Sequence, residues 1–320
     1  MKKIALVLLA SVLLVGCNSN SSINMNPFFS DYDTPFGVPP FDLIENEHFI
    51  PAAKTGFSEQ KAEIEYIVSN QEAPTFENTI EAYLLSGELL RKVDGVFGRL
   101  VSANKTDEID SIAKILVPMK AVHTSEINLY EGLFERVKTV YENQQAMDLS
   151  PEQKVVLEKV YKKFVRAGAD LDETGKKRIS EIDEILSTLT LQFGNNLLAE
   201  TNNYQLIIEN EEDLAGLPAS VRSAASDAAK AAGLEGKWVF TLHKPSWIPF
   251  LQYAEKRALR EEIYRAMYTR CNTGNEYDNN ELTKEILKLR LERANLLGYE
   301  NHAAYILEER MAREPATVYD

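Results

Sequence analysis

Cysteine is nearly missing from this sequence: Cys17 and Cys271 are the only two in 320 residues. If Cys17 is consumed by modification, as argued below, no pair remains for an intramolecular disulfide, and the fold must rest on its core. Histidine is scarce as well. His48, His123, His243 and His302 make up the whole set, and none begins an H-E-x-x-H sequence, the spacing that sets two imidazoles on one helical face around zinc. Positive charge is in deficit, with 35 Lys and Arg against 49 Asp and Glu and a net charge of −14. Such a surplus of carboxylates argues against nucleic acid as a partner and against adsorption onto anionic lipid. There is no G-x-S-x-G elbow and no phosphate-binding glycine loop, and Cys271 sits among Arg270, Asn272 and Thr273 with no evident base.

What is present begins at the N-terminus. Lys2 and Lys3 precede an apolar run from Ile4 to Val15, shorter than the roughly 20 residues needed to span a bilayer. The string Leu14-Val15-Gly16-Cys17 resembles the lipobox of bacterial lipoproteins. It predicts a signal peptide over residues 1–16 and a lipidated Cys17 as the mature N-terminus. Residues 17–26, rich in Ser and Asn, then read as a flexible tether. Several acyl chains on one terminus meet the requirement for stable anchoring. The expected location is a membrane surface facing the periplasm or cell exterior, and Asn18, in place of a retaining aspartate, favours the outer membrane.

Residues 27–320 are expected to be mostly α, with 44% hydrophobic residues in the whole chain to build a core. From Pro27 to Pro40 the prolines predict an extended arm, with Phe28, Phe29, Phe36 and Phe41 packing onto the body. Pro74-Thr75 opens a segment carrying Ile80, Leu84, Leu85, Leu89, Val93 and Phe97 at helical spacing. Ser150-Pro151-Glu152-Gln153 is a capping box with proline at the first helical position, opening a helix to about Arg166. Asp172 caps the next helix, whose stripe from Ile179 through Ile182, Ile185, Leu186, Leu189, Phe193 and Leu197 reads as core. Tyr204–Glu209 and Lys237–Leu242 are rich in β-formers and predict a pair of strands around an Ala-rich helix closed by Gly233. Past Pro249 the pattern is helical again. Arg313–Asp320 looks like the opening turn of a further helix, too short to be stable alone, and predicts a truncated product.

No histidine acquires a convincing catalytic partner. Glu45 and His48 form a single E-x-x-H, whereas a di-iron bundle needs two such copies and two further glutamates. His123 and Glu126 read as a solvated pair one turn apart. His243 and His302 lie near turns, where a ring can hydrogen-bond backbone.

Several stretches nevertheless resemble the thimet-oligopeptidase family of zinc metallopeptidases, its peptidyl-dipeptidase branch above all. They are DTPFGVPPF from Asp33, EAPTFENTI from Glu72, KKFVRAGADL from Lys162, LAETNNYQLII from Leu198, the long run GKWVFTLHKPSWIPFLQYAEKRALREEIYRAMYTR from Gly236, and LLGYENHAAYILEERMAREPATVYD from Leu296. The resemblance implies the N-terminal half of a mostly helical, two-lobed protein whose deep channel admits short unfolded peptides. It also implies a zinc ion held by two histidines and a glutamate downstream of Asp320, so no catalytic residue and no metal ligand is assigned here and no zinc is expected to bind this chain. The expectation is a fragment of an exported, lipid-anchored peptidyl-dipeptidase that removes C-terminal dipeptides from short peptides. The rival is a non-catalytic helical lipoprotein that binds peptides or a partner protein. Truncation also predicts exposed apolar faces and a tendency to associate.

Overall fold

A computed structural model describes residues 26–320. Cys17, the signal peptide and all but the last residue of the expected tether lie outside the described residues. That last residue, Asn26, is tied down: its side chain accepts from Phe28 N at 3.1 Å and donates to the His48 carbonyl at 2.8 Å.

Helices dominate, as the periodicity predicts. α1 (Phe49–Ser69) is followed by a π-helical turn over Phe76–Glu81 that runs into the short α2 (Ala82–Leu85). Then come α3 (Glu88–Ala103), α4 (Asp107–Asn128), α5 (Glu131–Glu142), α6 (Pro151–Ala167) and α7 (Glu173–Asn203). The strands β1 (Leu206–Ile208) and β2 (Trp238–Phe240) enclose α8 (Ala219–Ala231). The chain then continues through α9 (Lys244–Tyr253), α10 (Arg257–Tyr268), α11 (Asn280–Leu296), α12 (His302–Leu307) and α13 (Ala316–Tyr319).

Three apolar cores hold these elements. In the first, Phe49, Ala52 and Ala53 of α1 meet Val93, Val96 and Phe97 of α3, and Ile109 and Ala113 of α4. Gly56 lets α1 and α3 approach, since a Cβ there would stand 3.0 Å from the Leu90 backbone nitrogen. In the second, Ile64 and Ile67 from the other end of α1 join Phe76, Ile80, Leu133, Val137, Leu157 and Phe164. Each such side chain contributes about 1.5–3 kcal/mol by leaving water. The third gathers Leu206, Ile208, Phe240, Phe250 and Ile263. Here β1 and β2 pair antiparallel, Leu206 opposite Phe240 and Ile208 opposite Trp238. Two strands alone are marginal in water, and this pair is held by α8 and α9 against its inner face.

Three expectations need correction. The proline-rich arm is not simply extended but contains 3-10 turns at Pro27–Phe29 and Pro35–Gly37, and of its aromatics only Phe28 is buried; Phe29, Phe36 and Phe41 face solvent. The apolar run from Ile80 to Phe97 is two helices. The chain turns at Ser86 and Gly87, where Gly87 adopts φ +71, a conformation that favours glycine. Leu84 and Leu85, just before the break, are exposed. Finally, the stripe on α7 is fully buried only at Ile179 and Ile182, while Ile185 and Phe193 are exposed. At about 1.5 Å per residue this 31-residue helix is roughly 46 Å long, and its main contacts are with α4 and α11.

Candidate functional site

A concavity of the body runs along α6. The capping box forms as the sequence predicts, with Gln153 N donating to Ser150 Oγ at 3.2 Å and Ser150 N to Gln153 Oε1 at 2.9 Å. Leu157, Val160 and Phe164 occupy the buried face of the helix. Lys159, Lys162, Lys163 and Arg166, spaced i, i+3, i+4 and i+7, form a cationic stripe on another face. One cavity of about 450 Å³ lies between this stripe and Arg293 of α11 and Tyr305 of α12. A second, of about 380 Å³, extends from it toward Tyr83, Gly87 and Arg91. The two meet at Lys159 and Lys163.

Arg166 anchors the C-terminal end of the groove. Its guanidinium donates to the Tyr305 carbonyl at 2.7 Å and to the Tyr299 hydroxyl at 3.1 Å, and it pairs with Glu308. It also lies 4.2 Å from the centre of the Tyr305 ring, a cation–π contact. The Tyr299 hydroxyl donates to the same Glu308 carboxylate at 2.6 Å, and burial followed by that carboxylate pushes its pKa up. Lys162 pairs with Glu158 at 2.9 Å and Glu309 at 3.5 Å, and Arg293 with Asp183 at 2.8 Å. The remaining cations are different. Lys163 donates to the Tyr83 hydroxyl at 2.5 Å, and Arg91 donates to the Leu85 carbonyl at 2.9 Å and to that of Ser86. Among the described residues neither these two nor Lys159 has a carboxylate within 4.0 Å.

The residues considered from sequence are scattered and structurally engaged. Glu45 and His48 close a local cap: Glu45 N donates to His48 Nδ1 at 2.9 Å, and the Glu45 side chain accepts from the His48 backbone. The pairing of His123 with Glu126 does not occur. Glu126 reaches Lys61 at 2.5 Å, while the buried His123 ring packs 4.7 Å from that of Phe57 and donates from Nε2 to Gln60 Oε1 at 2.7 Å. Burial, reinforced by Lys61, holds its pKa below the ordinary histidine value. His243 bonds side chains rather than backbone, accepting from Thr241 Oγ1 at 3.0 Å and donating to Asn202 Oδ1 at 3.1 Å. His302 lies beside Arg290 and Arg293, with burial the larger cause of its lowered pKa. Cys271 is buried, and burial together with the adjacent Glu200 carboxylate pushes its thiol up to about 11, which leaves it unreactive near neutrality. Among the described residues no three of His, Cys, Asp and Glu converge in a cluster able to hold a metal ion. These side chains therefore do not fit a zinc site.

The described residues thus form a mostly helical body with an open groove along α6. Residues 250–320 match the profile of peptidase family M3. The chain is 32% identical to the dipeptidyl carboxypeptidase of Escherichia coli over 91% of its own length and 43% of that protein. It is 34% identical to oligopeptidase A of Haemophilus influenzae over 89% and 42% of the two chains, and 26% identical to saccharolysin of Saccharomyces cerevisiae over 78% and 35%. The chain belongs to peptidase family M3 and corresponds to the N-terminal half of the bacterial relatives. It thus spans about two fifths of the length of those relatives.

Proposed function

We infer that this chain is the N-terminal part of an exported peptidyl-dipeptidase, that the groove along α6 forms part of the wall against which a short peptide lies, and that the catalytic zinc is held by residues outside these 320. The observation that carries this reading is the 32% identity to a dipeptidyl carboxypeptidase across 91% of the chain. On this reading the chain alone is inactive, because zinc-dependent hydrolysis needs three protein ligands and an open coordination position. Lipid on Cys17 would keep the protein at a membrane facing the periplasm or cell exterior, the outer membrane being favoured by Asn18. What supports this is the basic start, the short apolar run and the Leu14-Val15-Gly16-Cys17 string.

The test is elemental analysis for zinc on the chain from Cys17 to Asp320, together with release of C-terminal dipeptides from a short peptide. No bound zinc and no release are expected. Stoichiometric zinc with turnover overturns the reading. Labelling cells with a radioactive fatty acid tests the anchor: the label should enter the protein and disappear in C17S.

A further inference from the structure

We propose that the groove along α6 recognises acidic side chains of an extended peptide. The inference rests on the peptide-groove reading above and adds a substrate class to it. Cations without a carboxylate within 4.0 Å occur elsewhere in this chain of net charge −14, and what sets the α6 groove apart is that three of them border one cavity, whose lining carboxylate, Asp94, pairs with Lys120. Arg166, Lys162 and Arg293 have carboxylate partners on the protein, so their charge is already answered. Lys159, Lys163 and Arg91 have none among the described residues, and all three border the same cavity. Lys159 and Lys163 stand at i and i+4, an arrangement in which like charges repel, and an external anion between or beside them relieves that repulsion.

The spacing says what kind of anion fits. Positions i and i+4 on a helix face hold their Cβ atoms about 5–6 Å apart. Alternate side chains of an extended strand lie about 6.6 Å apart, at roughly 3.3 Å per residue. A peptide lying along α6 with acidic residues at alternate positions can thus place one carboxylate near each lysine. A single terminal carboxylate can bridge both lysines, as Asp110 bridges Lys105 and Lys114, but brings only one negative charge to the three cations. The cavities on either side, about 450 and 380 Å³, give the backbone room to pass.

The experiment is fluorescence anisotropy at low salt with the full chain and short fluorescein-labelled Ala/Ser peptides. Two alternate positions carry Asp in one peptide and Asn in the other, and each is made as free acid and as C-terminal amide. The Asp peptides should bind tighter than the Asn peptides by about 3- to 20-fold, from two partly exposed ion pairs, whether amidated or not, and high salt should remove the difference. K159Q and the double variant K159Q/K163Q should remove it progressively, while K154Q, exposed on the same helix outside the groove, should leave it intact. Equal binding of all four peptides overturns the acidic-peptide inference while leaving the groove a peptide site. So does a preference that follows amidation instead of Asp, which would make the terminal carboxylate the ligand. Failure of every peptide to bind overturns the peptide-groove reading and this inference with it.

Discussion

The body up to α6 and the helices α10 and α11 use the same local grammar to different ends. Both are amphipathic, with charged residues between apolar ones at helical spacing. In the body most of the apolar positions are covered: Leu157, Val160 and Phe164 on α6 are buried against α5 and the π-helical turn, with Val155 and the helix-end pair Leu84 and Leu85 left exposed. On α10 and α11 the corresponding side chains split. Ile263, Ile286 and Leu289 are buried, yet Tyr264, Tyr268, Leu287 and Leu291 face solvent at i and i+4 positions. Periodicity therefore reports that a helix has an apolar side, and only tertiary contact decides how much of that side is covered.

Substitutions can break this contrast or sharpen it. The largest effect is expected at Phe164, which packs 5.2 Å from the Tyr83 ring and 6.2 Å from that of Phe134. F164A should cost about 3–5 kcal/mol by leaving a cavity, whereas L287A, exposed on α11, should stay within about 0.5 kcal/mol. Urea unfolding of both variants measures the difference, and equal losses would abolish the distinction between the regions. Next comes Arg136 of α5, a buried cation that ties the link after α1 to the π-helical turn by donating to the Asn70 carbonyl at 2.9 Å and to Asn78 Oδ1 at 3.1 Å. R136M should lose roughly 1.5–3 kcal/mol, because it removes charged hydrogen bonds to half-buried acceptors. A smaller effect, in pH dependence, belongs to His123. Its folded pKa lies below the ordinary value of 6.5 because the ring is buried. The unfolded chain therefore binds the proton more readily, and stability is level above about pH 6.5 and declines as the pH falls below it. His302 is shifted in the same direction, so H123N should flatten that acid-side decline in part. Denaturation midpoints taken from pH 7.5 to pH 5 test this.

Much of the fold is legible in the sequence wherever the signal is local. Ser150 and Asp172 cap their helices as their neighbours predict, and the two β-rich stretches pair around α8. The misreadings arise where distant residues decide. Nothing in the spacing from Ile80 to Phe97 marks the break, which depends on the positive φ of Gly87. Glu126 is one turn from His123, but Lys61 on another helix claims the carboxylate and Gln60 claims the ring. The groove is a mixed case. The stripe of Lys159, Lys162, Lys163 and Arg166 is visible in the sequence, though hidden beneath a strongly negative total. Its opposite wall is not visible, since Tyr305 meets Arg166 across 139 positions of chain.

α1 supplies Phe49, Ala52 and Ala53 to one core and Ile64 and Ile67 to another. Two apolar clusters are thereby joined through one continuous hydrogen-bonded rod, and neither can loosen without disturbing the other's lining. The first half of the protein should consequently behave as a single cooperative unit, with the central amides of α1 among its slowest to exchange with deuterium.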